Sequence, residues 1–107
     1  MKERCWLLLD DGVIEVSNKS ENGFSFDPEE FHDVLTNHKV LGIIHTHEKN
    51  CAPSIHDIEG MMWWNFPWII MAPTCIKGYI LDLGVKEINI NPFFLEMLKD
   101  LFMKLSD

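Results

Sequence analysis

Residues 40–47 read Val-Leu-Gly-Ile-Ile-His-Thr-His. The run from 40 to 45 is apolar almost throughout and lacks the alternation of a strand with one wet face. It therefore predicts a strand in the middle of a sheet covered on both sides. Residues 68–72, Trp-Ile-Ile-Met-Ala, predict a second buried strand. Two such strands require helices to cover them, and the sequence marks three helix starts. Asp27-Pro28 with Glu30 has an N-cap, a proline at the first helical position and a capping-box acid. Phe31, Val34 and Leu35 give this helix one apolar face, and Asn37-His38 closes it. Ser54 begins a second helix, with Ile58, Met61 and Met62 as its apolar stripe, that stops before Pro67. Asn91-Pro92 caps a third, running to about residue 105.

Shorter strands fill the remainder. Residues 6–9 and 13–17 flank Asp10-Asp11-Gly12, whose Asp-Gly pair favours a hairpin turn, and residues 24–26 can add a brief strand after a polar loop. Residues 77–81 and 85–90 are strands separated by a turn at Gly84. The order β-β-α-β-α-β-β-β-α predicts an α/β (α+β) fold, a mixed sheet with helices packed on its faces. At 107 residues, 47% of them apolar, the chain suits one compact domain with a real core, residues 1–107.

Nine Lys and Arg stand against 17 Asp and Glu, a net charge of −8 with no basic patch. That balance repels phosphate backbones and anionic headgroups, so neither nucleic acid nor a membrane is an expected partner. The first apolar run, residues 5–9, is too short for a signal peptide, and no other stretch approaches a membrane span. Cys5, Cys51 and Cys75 are odd in number and lack C-x-x-C spacing. They predict reduced thiols and a cytoplasmic chain, with Cys51 a small apolar filler or a spare metal ligand.

The chemistry concentrates where the buried strand ends. Side chains at i and i+2 of a strand share a direction, so His45 and His47 aim their imidazoles at one point. Asp57, in the first turn of the following helix, can swing back as a third ligand, and Ser54 places a hydroxyl at the mouth. Three protein donors with one position left open are what a catalytic zinc ion takes. Ser54 and Asp57 also fit an S-x-x-D capping box serving stability alone, a reading that leaves the histidine pair unexplained. His32, His38 and His56 read as surface residues. A structural zinc site is disfavoured because such sites normally close with four ligands, most often including Cys. The chain has no H-E-x-x-H, no P-C-x-x-C beside an H-x-E, no Gly-rich phosphate loop and no G-x-S-x-G.

His45-Thr46-His47, six residues, Ser54, two residues and Asp57 resemble the JAMM motif of the MPN+ (JAB) zinc metallopeptidases, H-[ST]-H followed by S-x-x-D. "GMMWWNFPWIIMAPTCIKGYIL" is similar to the corresponding segment of bacterial and phage members, and Glu3-Arg4-Cys5-Trp6 occupies the place of the family's E-x-C-G. The resemblance covers nearly the whole chain. It implies a JAB1/MPN-like, cytidine-deaminase-like fold and one zinc per chain on His45, His47 and Asp57. It also implies Glu3 as general base then acid, and Ser54 as donor to the developing oxyanion. The substrate it implies is a peptide or ubiquitin-like protein, cleaved at an amide bond after a C-terminal tail. The chain departs from the pattern in a His-to-Ser gap one residue shorter than usual. It also carries Trp6 in place of a glycine, adding bulk near the site, and lacks the family's preceding helix. Glu15 is a fallback for Glu3. A non-catalytic scaffold or binding module is the competing class of function. The last helix, with Phe93, Phe94, Leu95, Met97, Leu98, Leu101, Phe102, Met103 and Leu105, carries more apolar positions than one core stripe uses. Together with Trp63, Trp64 and Phe66 it predicts a homodimer or docking on a partner.

Overall fold

The computed structural model describes residues 3–18 and 27–105 of the chain. Its elements follow the expected order: β1 (Cys5–Leu9), β2 (Gly12–Val16), α1 (Pro28–Asn37), β3 (Val40–Thr46), α2 (Ile55–Trp63), β4 (Trp68–Ala72), β5 (Cys75–Leu81), β6 (Val85–Ile88) and α3 (Pro92–Lys104). The brief strand expected at 24–26 lies outside the described residues. Each helix starts where its cap signals place it. Asp27 accepts from the Glu29 N–H, Ser54 and Asp57 form a reciprocal capping box, and Asn91 accepts from the Phe93 N–H.

The strands form one six-stranded sheet in the order β2-β1-β3-β4-β5-β6. β3 and β4 run parallel, and every other neighbouring pair is antiparallel. The continuous apolar runs thus occupy the centre, as burial on both faces demands. Alternation along β1 and β3 divides the core in two. Cys5, Leu7, Leu9 and Ile43 face Phe31 and Val34 of α1 and Met61 of α2. Trp6, Ile44, Ile69 and Met71 face the other way, onto Leu98, Phe94 and Leu101 of α3. The result is a mixed α+β sandwich with two helices on one face and one on the other.

Three apolar assignments change, the first being Leu35 of α1, which is 37% exposed while Phe31 and Val34 are buried. Met62 belongs to the solvent face of α2, 69% exposed, and Met61 alone is buried from that pair. Trp6 adds no bulk near the histidines, because it sits on the α3 face with Ile44 and Leu98. Among the described residues no helix is long and apolar enough to cross a membrane.

The cysteines also differ from expectation. Cys51 and Cys75 form a disulfide, and Cys5 is a free, buried thiol. Twenty-four residues separate the pair in sequence, but Cys51 lies over the end of the sheet where β4 turns into β5, within 6.2 Å of Cys75 between Cα atoms. Cys51 is neither a filler nor a spare ligand, and the ground for expecting a cytoplasmic chain, unpaired thiols, is removed.

Candidate metal centre

The site forms where β1, β3 and the N-terminus of α2 meet. Antiparallel pairing of β1 with β3 sets Cys5 opposite His45, and the bond from the Thr46 N–H to the Arg4 carbonyl, 3.0 Å, extends that pairing toward the end of the sheet. One step further puts Glu3 opposite His47. By the two-residue period, Glu3, His45 and His47 share the face covered by α1 and α2. A carboxylate oxygen of Glu3 and a ring nitrogen of each histidine accordingly lie within 4.8 Å of one another.

Glu3 is held there by its backbone. The Asn18 side-chain amide donates to the Glu3 carbonyl at 2.7 Å, and the Arg4 N–H donates to the buried Thr46 hydroxyl oxygen at 2.9 Å. The residue between the two histidines therefore ties the strand carrying Glu3 to the strand carrying them. Glu15 is not in the site. It points to the α3 face, accepting from Arg4 Nε and Nη2, both at 2.7 Å, while the guanidinium lies over Trp6.

Asp57 arrives from α2. Its Oδ1 stands 2.8 Å from His45 Nε2 and its Oδ2 3.0 Å from His47 Nε2. The capping box fixes it, the Ser54 N–H donating to Oδ2 at 2.8 Å and the Asp57 N–H to Ser54 Oγ at 3.1 Å. The cap reading and the ligand reading are thus compatible, since one carboxylate caps the helix and faces both imidazoles. Accepting from Asp57 leaves the Ser54 hydroxyl proton available to donate outward. Burial alone would raise the Asp57 carboxyl, but its contacts with His45 and His47 hold it far below the ordinary carboxylate range. The Asp57 carboxylate in turn raises His47 above its ordinary value, against the opposing effect of burial.

Glu3, His45 and His47 form a group of donors that could hold a metal ion, and Asp57 stands against both imidazoles. His45 is 2% exposed, and although its Nε2 lies close to Asp57, neither ring nitrogen makes an aligned hydrogen bond. A buried imidazole left in that state costs free energy unless something else uses its lone pair. His47 Nδ1 faces the Asn50 carbonyl at 3.1 Å, the outer contact that typically fixes a ligating histidine's tautomer and presents Nε2 to the metal. Glu3, His47 and Ser54 line an open cavity of about 270 Å³, which adjoins a larger cleft of about 620 Å³ along β2 at Glu3. The larger cleft contains neither histidine.

Asp10, Asp11 and His38 form a second group of metal-type donors at the β1–β2 turn. Its acids are exposed, and the contact within it is a surface one, His38 Nδ1 lying 3.4 Å from Asp11 Oδ1. His32 and His56 are exposed, as expected. β5 is linked to the loop that follows His47 at Cys51. Tyr79 donates its hydroxyl to the Cys51 carbonyl at 2.7 Å, beside the disulfide, and no local pattern around Cys51 signals either link.

No protein-family model matches the chain, and no curated protein does. Among solved structures, it is similar to the solution structure of protein DSY2949 from Desulfitobacterium hafniense, with a TM-score of 0.63 at 23% identity over 84% of this chain and 77% of that one. At that identity the likeness concerns the fold.

Proposed function

We propose that the chain is a zinc metallopeptidase of the JAMM type with a JAB1/MPN-like fold. It would hydrolyse an amide bond in a peptide or after the C-terminal tail of a small or ubiquitin-like protein. The observation that carries this reading is the convergence of Glu3, His45, His47 and Asp57 at one sheet end, with His45 buried and without an aligned hydrogen bond. His45, His47 and Asp57 would hold one zinc ion. When bound, zinc acts as a Lewis acid that activates water and polarises the scissile carbonyl.

The chain's own residues supply the rest. The Glu3 carboxylate accepts a proton from the attacking water and returns it to the leaving amine nitrogen, a role suited to a carboxylate at the cavity wall. The outward Ser54 hydroxyl donates to the developing oxyanion. Asp57, tied to the Ser54 N–H, keeps its ligand oxygens aimed at the histidines.

Glu3→Gln tests the assignment, because it removes the proton acceptor while leaving His45, His47 and Asp57 intact. Zinc content should be unchanged, and hydrolysis of a peptide library, read by mass spectrometry, should fall about 10²- to 10⁴-fold. An undiminished rate would remove Glu3 from the mechanism.

The alternative, a non-catalytic binding module of the same fold, draws on one observation. α3 leaves Phe93 88% and Met103 69% exposed, apolar surface of the kind used to bind a partner. Under that reading zinc would bind and no peptide would be cleaved.

A further inference from the structure

We propose that β5 sets the affinity of the metal centre through Cys51, with the Cys51–Cys75 disulfide and the Tyr79 hydroxyl acting as positioning groups for His47. This inference rests on the reading that His45, His47 and Asp57 hold zinc.

The three ligands are not equally secured. His45 belongs to β3 and is enclosed by the core, its ring edge-on to Trp68 with centroids 5.7 Å apart. Asp57 is locked into the α2 capping box. The His47 backbone is pinned by its N–H bond to the Met71 carbonyl at 2.8 Å, and its ring is oriented by two contacts, Nε2 to Asp57 Oδ2 at 3.0 Å and Nδ1 to the loop that follows. Nδ1 faces the Asn50 carbonyl at 3.1 Å, and Asn50 is exposed, as are Glu48, Lys49 and Ala52. No burial of its own holds Asn50 in place.

The next residue supplies the hold. Cys51 is buried against Ile70 and Ala72, bonded through sulfur to the first residue of β5, and accepts from Tyr79 Oη at 2.7 Å. The Ala52 N–H donates to Asn50 Oδ1 at 3.0 Å, closing the loop on the other side of Cys51. Thus one residue carries two tethers to a single strand, and its neighbour sets the ligand's ring. Outer contacts of this kind typically change metal affinity 10- to 100-fold when lost.

Breaking the disulfide removes the covalent tether and leaves the Tyr79 bond. A trialkylphosphine does this cleanly: it becomes the phosphine oxide, water supplies the oxygen and two protons, and Cys51 and Cys75 become thiols. A dithiol reductant would itself chelate zinc, so the phosphine is the appropriate reagent.

The test is the zinc dissociation constant of the full chain, measured by competition with a chromophoric chelator. It compares the oxidised protein, the phosphine-reduced protein, the Cys51→Ala/Cys75→Ala double variant and oxidised Tyr79→Phe, each checked for folding by circular dichroism. We expect zinc binding 10- to 100-fold weaker in the reduced protein and the double variant, and about tenfold weaker in Tyr79→Phe. If disulfide loss unfolds the chain, Tyr79→Phe decides alone, since it keeps both the disulfide and the ring. A disulfide that merely stabilises the fold would lower the melting temperature and leave zinc affinity unchanged in every folded form, which overturns the inference while the metal centre stands. Tighter binding in the reduced protein but not in the double variant would make a Cys thiolate a ligand and also overturn it. Failure of the oxidised wild-type protein to bind zinc would instead remove the metal centre, and this inference with it.

Discussion

Replacing Gly60 by alanine tests how closely α2 must sit on the sheet for the site to assemble. A Cβ at this position would lie 2.7 Å from Trp68 Cζ2 and closer still to Cη2. The indole cannot easily give way. Trp68 is buried, its Nε1–H is bonded to the Trp64 carbonyl at 3.1 Å, and its ring abuts His45. Overpacking a well-filled core costs about 1–3 kcal/mol, and a clash with two atoms of a fixed ring belongs near the top of that range. Alanine recovers about 1 kcal/mol of helix propensity over glycine. The net expectation is destabilisation by about 2 kcal/mol, which at about 4 °C per kcal/mol for a domain of this size lowers the melting temperature by about 8 °C. Urea unfolding should be run with excess chelator, so that ion binding does not add to the folded state. Because α2 also carries Asp57 one turn earlier, zinc affinity of the folded variant should fall with stability. Equal or increased stability would show that α2 does not pack on Trp68 as described.

In metal-free protein, stability should depend on pH through the His47–Asp57 pair. His47 is raised above its ordinary 6.5, so its contribution is full below about that pH and is lost as pH rises through the folded value. Asp57 is lowered from its ordinary 3.8, so its contribution is present above that value and is lost only as pH falls far below it. Urea midpoints from pH 5 to 9 should therefore decline with rising pH in wild type and flatten in His47→Asn; a wild-type profile equally flat would contradict the coupling. The apolar outer face of α3, with Phe93, Met97 and Met103 exposed, is expected to drive a two-fold dimer, seen by light scattering at micromolar concentration. A monomer that binds no hydrophobic dye would contradict that expectation.

The elements were legible because their boundaries carry chemistry. Asp27-Pro28, Ser54 with Asp57, and Asn91-Pro92 start the helices within a residue of where they begin, and the uninterrupted apolar runs at β3 and β4 place those strands at the sheet centre. The i, i+2 spacing of His45 and His47 was legible for the same local reason. Glu3 was not, because its position depends on β1 pairing with β3, some forty residues away; only resemblance pointed to it. Trp6 was misplaced although the signal existed, since a residue alternating with Glu3 and Cys5 must face away from the site. With three cysteines any pair could join, and spacing alone does not tell that the loop at Cys51 folds over the start of β5. The fit of Gly60 against Trp68 is likewise a property of packing that no local pattern announces.

The most direct measurement is an anomalous difference map at the zinc edge from crystals grown with zinc, paired with metal analysis of wild type and His45→Ala. The expected result is about one zinc per chain, bonded to His45, His47 and Asp57, with the Glu3 carboxylate beside it and unbound, and loss of the metal in the variant. A peak at Asp10, Asp11 and His38, a site ligated by Glu3 in place of Asp57, or full zinc content in His45→Ala would contradict the account.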